Sequence, residues 1–228
     1  MSDQKRGILT IISGFSGAGK GTVVGRLLEK YPERYKLSIS ATTRSPRNGE
    51  EHGVHYFFKS DEEFQQMIEN DAFLEYAQYV EHSYGTPRQY VEENLAAGYD
   101  VILEIEQQGA FAVKKAVPEA ILIFLTPPTI EELERRLRNR KTESDDVIAS
   151  RLAQACAEAA HVDQYDYIVI NDEVEHCVDA VNRLIETEHQ RTQFNGAKIQ
   201  ELQRDLQPYR KRRMIHVTSI LYRINGRC

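Results

Sequence analysis

The stretch from Ile8 to Thr22, ILTIISGFSGAGKGT, constrains this chain more than any other. A β-branched apolar run leads into Gly14, Gly17 and Gly19, and Lys20 then opens a segment with Val23, Val24, Leu27 and Leu28 at helical spacing. Strand, glycine-rich turn and helix in that order are the setting in which a G-x-x-x-x-G-K loop cradles phosphate oxygens. Glycines let backbone amides turn inward, and the helix N-terminus adds partial positive charge. The candidate phosphate-binding residues are therefore Gly14, Ser16, Gly17, Ala18, Gly19, Lys20, Gly21 and Thr22, with Lys20 reaching the β and γ phosphates of a nucleotide. One position departs from the pattern. The residue after the lysine, usually a Ser or Thr whose hydroxyl meets magnesium, is Gly21. Mg²⁺ keeps several waters and leans on substrate phosphates, so the departure does not by itself abolish a site.

Further apolar runs at 37–39, 101–105, 120–125 and 167–170 read as buried strands alternating with helical segments. With the phosphate loop behind the first of them, they predict an α/β fold of the P-loop class, with a parallel five-stranded central sheet flanked by helices. Ser60 with Glu63 and Thr129 with Glu132 match capping boxes, and Thr86-Pro87 with Gln89 predicts another helix start. Helical spacing continues from about 145 to 161 behind Ser144. The stretch 42–56, TTRSPRNGEEHGVHY, is polar and turn-rich, hence a loop, and a long loop inside a compact domain is usually functional.

A chain of 228 residues with net charge −6 suits one domain with mobile lobes and disfavours a broad nucleic-acid-binding face. Cys156, Cys177 and Cys228 are odd in number and widely spaced, which disfavours a disulfide framework or a zinc site. No stretch approaches the roughly 18 apolar residues of a membrane span, so the expectation is a cytoplasmic protein without membrane or nucleic-acid partners. Oligomeric state is left open.

From Ser38-Ile39-Ser40-Ala41-Thr42-Thr43-Arg44 through Arg47, Glu50, Gly53 and Tyr56, the chain resembles guanylate kinases. The likeness continues through FLEYAQYVEHSYGTP, LEIEQQG, LTPPT, RLRNRKTE and VIND, and covers roughly residues 7–191. GKGT in place of GK[ST] also resembles the loop of nucleoside monophosphate kinases. The resemblance implies transfer of a phosphoryl group from ATP to GMP with Mg²⁺, with dGMP a further acceptor to be tried. It implies a kinase domain over 1–205, with a GMP-binding lobe at about 40–88 and a lid at about 135–155. A non-catalytic interaction module on the same fold is the alternative, although such modules have typically lost the phosphate loop and lid.

By the same resemblance, Arg44, Arg47, Tyr56 and Tyr84 hold the GMP phosphate, and planar guanidinium forks suit a phosphate monoester on their own chemistry. Guanine presents N1–H and N2–H₂ as donors beside O6, so reading it needs a carboxylate facing a hydroxyl. Glu75 matches that carboxylate, Ser40 and Thr86 the hydroxyls. Glu106, longer than the usual Asp, matches a contact to the guanine amino group. Glu104 and Glu106 flank Ile105, so on a regular strand both point to one face, and Glu104 is the candidate to hold metal-bound water. Lid positions fall on Arg136, Arg140 and Arg151, which with Lys20 and Arg44 form the implied catalytic set. Asn171 matches a position beside the ATP adenine. The basic run Arg210-Lys211-Arg212-Arg213 and the rest of 206–228 match nothing in the family and receive no role.

Overall fold

Both faces of the first strand must be covered, because the run around Ile11 and Ile12 is apolar without alternation. In the computed structural model, which describes residues 6–79, 81–139 and 144–209, β1 (Leu9–Gly14) is buried along its whole length. It sits at the centre of a five-stranded parallel sheet. Its neighbours are β7 (Asp100–Glu104) and β8 (Ile121–Thr126), with β2 (Tyr35–Leu37) outside β7 and β9 (Tyr167–Ile170) outside β8. The expected central sheet is thus present, with one shift. The second strand occupies Tyr35–Leu37 instead of 37–39, because Tyr35 is the anchored residue: its ring is buried and its hydroxyl donates to Asn182 Oδ1 at 2.7 Å.

Helices cover the sheet as the sequence period requires. α1 (Lys20–Lys30) follows the glycine turn, α2 (Asp61–Glu69) belongs to a second sheet, and α3 (Arg88–Ala96) and α4 (Gln107–Ala116) flank β7. Leu9, Ile11, Val101, Leu103 and Leu122 pack against Val91 and Leu95 of α3 and Ala110 and Val113 of α4. Each fully buried side chain of this size contributes about 1.5–3 kcal/mol. α5 (Ile130–Asn139) and α6 (Asp145–Ala159) form another cluster, in which Leu133, Leu137, Ile148 and Ala155 pack with Phe15 and Ala18. Two residues of the glycine turn are thereby seated in core. α7 (Val174–Glu188) follows β9.

A second, four-stranded sheet contains β3 (Ala41–Thr42), β4 (Phe57–Phe58), β5 (Phe73–Tyr79) and β6 (His82–Pro87) in the order β4-β3-β6-β5. Phe64 of α2 lies on Phe73, ring centroids 4.6 Å apart. Sequence reasoning misses these strands, two of which are only two residues long.

The three predicted helix starts fare differently. At Ser60 the reciprocal box is complete, with Glu63 N donating to Ser60 Oγ at 3.1 Å and Ser60 N to Glu63 Oε2 at 2.9 Å. At Thr129 only half forms, since Glu132 N donates to Thr129 Oγ1 while the Glu132 carboxylate is taken by Arg135 and Arg136. Thr86 is not a cap: α3 starts at Arg88 behind Pro87, and Thr86 belongs to β6 with its hydroxyl turned to Glu75. Ser144 stands at the N-cap position of α6 without a side-chain cap bond.

The chain divides into two compact units, Met1–Ile185 and Glu186–Cys228. The described part of the second carries a helix at 196–209 on which Leu202, Leu206 and Tyr209 are exposed. Arg140, Lys141, Cys228 and the basic run 210–213 lie outside the described residues. Cys177 is buried and Cys156 exposed, both as free thiols. Among the described residues no helix is long and apolar enough to cross a membrane.

Candidate active site

The turn between β1 and α1 has the backbone its glycines permit. Gly19, the residue before α1, holds φ at 91°, a conformation that costs other residues about 1–2 kcal/mol. At Gly14 an added Cβ would lie 2.1 Å from the Leu125 carbonyl oxygen, so the strand passes β8 too closely for any side chain. Lys20 Nζ donates to Gly14 O at 2.7 Å and Phe15 O at 3.4 Å, folded along the inner rim of the loop. Ser16 Oγ accepts from Arg151 Nη1 on α6. The Ala18 side chain is buried in core and its N–H donates to Phe15 O, while Gly21 and Thr22 are exposed at the first turn of α1.

Beside this loop lies a cleft of about 740 Å³. Ser16, Lys20, Glu104, Glu106 and Arg151 line it, and so do Glu75 and Tyr84 of the second sheet with Ser40 and Tyr56 just ahead of β3 and β4. Members of both groups of sequence-predicted residues therefore share one space, while Arg44, Arg47, Thr86, Arg136 and Asn171 are not part of its lining. Glu106 reaches the cleft from a position other than expected. β7 ends at Glu104, and Glu106 is the residue before α4, so the regular-strand argument for a shared face does not apply.

Glu75 is recessed in the cleft wall. Thr86 Oγ1 donates to Glu75 Oε1 at 2.7 Å, and Oε2 lies 3.3 Å from where a Gly109 Cβ would stand. Loss of water around it pushes the Glu75 carboxyl upward, opposed by the bonds from Thr86. Thr86 is itself fully buried, so this hydroxyl and carboxylate form a fixed pair.

The polar loop 42–56 holds its arginines through a residue that sequence reasoning left without a role. Glu50 Oε1 accepts from Arg44 Nη2 at 2.9 Å, and Glu50 Oε2 accepts from the Arg47 backbone N–H at 2.7 Å. The Arg44 guanidinium, followed by the Arg47 amide, holds the Glu50 carboxyl below the usual carboxylate range. Arg44 also donates from Nη1 to Ser45 O at 2.8 Å and lies 5.4 Å from the Tyr56 ring centroid. Glu50, six residues from Arg44, has no periodic signature that would have marked it.

On α5, Arg135 and Arg138 bond to Glu132 and Glu134 of their own helix, as solvated charges do. Arg136 differs. Its Nε donates to Glu132 Oε1 at 2.7 Å, Nη2 to Asn171 O at 2.8 Å and Nη1 to Ala18 O at 3.3 Å. The two arginines, Arg135 first, hold Glu132 down at about 2. Asn171 is buried at 3% exposure, with its amide nitrogen donating to Ala18 O at 2.8 Å.

Beside Gly21, where the usual loop carries a hydroxyl, the structure presents a carboxylate. Both Glu104 oxygens lie 3.6–3.7 Å from where a Gly21 Cβ would stand. Glu104 keeps contact with solvent yet is crowded enough for burial to push its carboxyl up, with Lys20 pulling down and Glu106 pushing up. Among the described residues no group of three or more His, Cys, Asp and Glu can cage a metal. A hard cation at this place would meet Glu104 through water and take phosphate oxygens directly, a donor set that suits magnesium.

A parallel sheet with the strand–glycine loop–helix unit at its centre, Lys20 on the loop and a second acid- and arginine-bearing lobe lining the same cleft define a P-loop nucleotide kinase. The family model for guanylate kinase matches residues 6–188. The chain is 51% identical over 195 residues to a guanylate kinase of Caldanaerobacter subterraneus subsp. tengcongensis, covering 86% of this chain and 94% of that protein. It is 52% identical over 186 residues to one of Oceanobacillus iheyensis, covering 82% and 90%. The crystal structure of guanylate kinase from Anaplasma phagocytophilum superposes with a TM-score of 0.64 at 32% identity, covering 83% of this chain and 89% of that one. The chain belongs to the guanylate kinase family.

Proposed function

We propose that the protein transfers the γ-phosphoryl group of ATP to the phosphate of GMP, forming ADP and GDP. The observation that carries this reading is the single cleft lined both by Lys20 of the phosphate loop and by the recessed Glu75. A phosphate monoester has a second pKa near 6, so the attacking GMP oxygen is ionised at pH 7 and needs no general base. That oxygen bonds to the γ phosphorus as the bond to the β–γ bridging oxygen breaks, and the electron pair leaves with ADP. The protein's task is positioning and charge stabilisation.

In this reading Gly14, Ser16, Gly17, Ala18, Gly19, Gly21 and Thr22 surround the ATP phosphates. Lys20, Arg136, Arg140 and Arg151 offset charge on the transferring group. Arg44, Arg47, Tyr56 and Tyr84 grip the GMP phosphate. Ser40, Glu75, Thr86 and Glu106 read guanine. Glu104 would hold magnesium through water, and the ion would supply positive charge to offset that of the ATP phosphates. A cytoplasmic setting is part of the same proposal. ADP release from ATP and Mg²⁺ with GMP, dGMP, AMP, CMP and UMP in turn tests the reading. Turnover with GMP, with the three non-guanine nucleotides negligible, supports it, and equal turnover with AMP contradicts guanine selection.

Two outcomes follow for the GMP side. Glu50→Gln loosens both arginine positions, so KM for GMP should rise about 10- to 100-fold while KM for ATP stays put. Steady-state kinetics with each substrate varied checks this. The second concerns pH. Glu75 must be ionised to accept from guanine, and its carboxyl is raised by burial. Guanosine affinity is therefore full above that raised pKa and is lost as pH falls through it, at a pH above the usual glutamate range near 4.3. Protonation at the same step favours the folded state, since burying the charged form is what costs stability. Calorimetric titration with guanosine, which lacks the titrating phosphate, isolates the effect, and Glu75→Gln should flatten it.

A further inference from the structure

Asn171 is placed to act on the phosphate loop itself. Its amide nitrogen donates to Ala18 O at 2.8 Å, and Arg136 Nη1 approaches the same oxygen at 3.3 Å. Its backbone is tied at both ends: its N–H donates to Thr126 O at the end of β8 at 2.7 Å, and its carbonyl accepts from Arg136 Nη2 at 2.8 Å. Glu132 completes the network by holding Arg136 Nε. Turning the Asn171 amide over would set its oxygen against Ala18 O, acceptor facing acceptor, so the orientation is fixed. Its Oδ1 is buried without a hydrogen-bond partner. Buried polar groups are nearly always paired, so an orphan oxygen calls for a need that keeps the amide in this orientation.

The need lies in the next peptide. In a trans peptide the carbonyl of Ala18 and the N–H of Gly19 point in opposite directions from one plane. Pinning Ala18 O toward Asn171 thus aims the Gly19 N–H away from it and removes a rotation that would otherwise swing a loop amide out of register. Gly19 also makes room, since a Cβ there would lie 2.6 Å from Asn171 Nδ2. We infer that Asn171 is a positioning residue that acts on the triphosphate through the Ala18–Gly19 peptide, independently of the base. The inference rests on reading the loop as the ATP phosphate site.

The test is calorimetric titration of wild type and Asn171→Ala with ATP, inorganic tripolyphosphate and GMP, magnesium present. ATP and tripolyphosphate should weaken by the same factor, about tenfold for one lost hydrogen bond, with GMP unchanged. Asn171→Asp, which turns the donor into an acceptor, should weaken both at least as much. Loss of ATP affinity with tripolyphosphate unaffected would mean that Asn171 meets adenine, and would overturn the inference. So would no loss for either. Dissociation constants do not depend on yield, and should Asn171→Ala fail to fold, Asn171→Ser carries the same comparison. A wild type that binds both triphosphates yet shows no GMP-dependent turnover would count against the proposed reaction and leave this inference standing.

Discussion

Lys20→Ala is expected to lower GMP-dependent ADP release by about 10²–10³-fold or more, the cost of removing one preorganised charge-stabilising group from a transition state. Lys20 Nζ already lies along the rim of the loop, within hydrogen-bond reach of the Gly14 and Phe15 carbonyls, and lines the cleft that Glu75 also lines. Phosphoryl transfer gives the protein little covalent chemistry to do, so the loss of a positive charge at the β and γ phosphates falls directly on the barrier. The loop should keep its shape, because Phe15 and Ala18 are seated against Leu133 and Leu137 whether or not position 20 is charged. GMP affinity, measured by calorimetry, should therefore be unchanged while kcat collapses. Turnover within a few-fold of wild type would remove Lys20 from the reaction.

Glu75→Gln is expected to reduce kcat/KM for GMP by about 10²–10⁴-fold, with ATP affinity unaffected. The substitution keeps size and shape but turns one of two acceptor oxygens into a donor. Guanine N1–H and N2–H₂ would then face an N–H, and hydrogen bonds to a charged group are worth about 1.5–3 kcal/mol each. Thr86, buried and donating to Glu75 Oε1, prevents the side chain from swinging away to relieve the clash. Activity with GMP close to wild type would mean that guanine is read elsewhere.

These two residues also mark what the sequence makes legible. Lys20 is set by local pattern: β-branched strand, spaced glycines and helix all lie within Ile8–Leu28, and short-range order of that kind survives into the fold. Glu75 is legible through resemblance alone, since no period places a lone carboxylate in a cleft. The second sheet is not legible because strands of two residues, Ala41–Thr42 and Phe57–Phe58, cannot display alternation. Thr86 shows a local rule losing to a tertiary contact: Thr-Pro reads as a helix start, yet the ladder of β6 with β5 extends through it and turns its hydroxyl to Glu75. Asn171 and Ala18 lie 153 residues apart, and Glu50 serves Arg44 across a turn. Neither pairing has any trace in one-dimensional order, because each exists only once the backbone has brought its partners together.

The account turns on where the γ-phosphoryl group goes, and phosphorus NMR of the wild type incubated with ATP, Mg²⁺ and GMP reads that destination directly. The predicted result is loss of the ATP γ signal and the GMP monoester signal together, replaced by the diphosphate signals of ADP and GDP in equal amounts. Growth of inorganic phosphate with the GMP signal unchanged would show transfer to water, and would contradict the central claim.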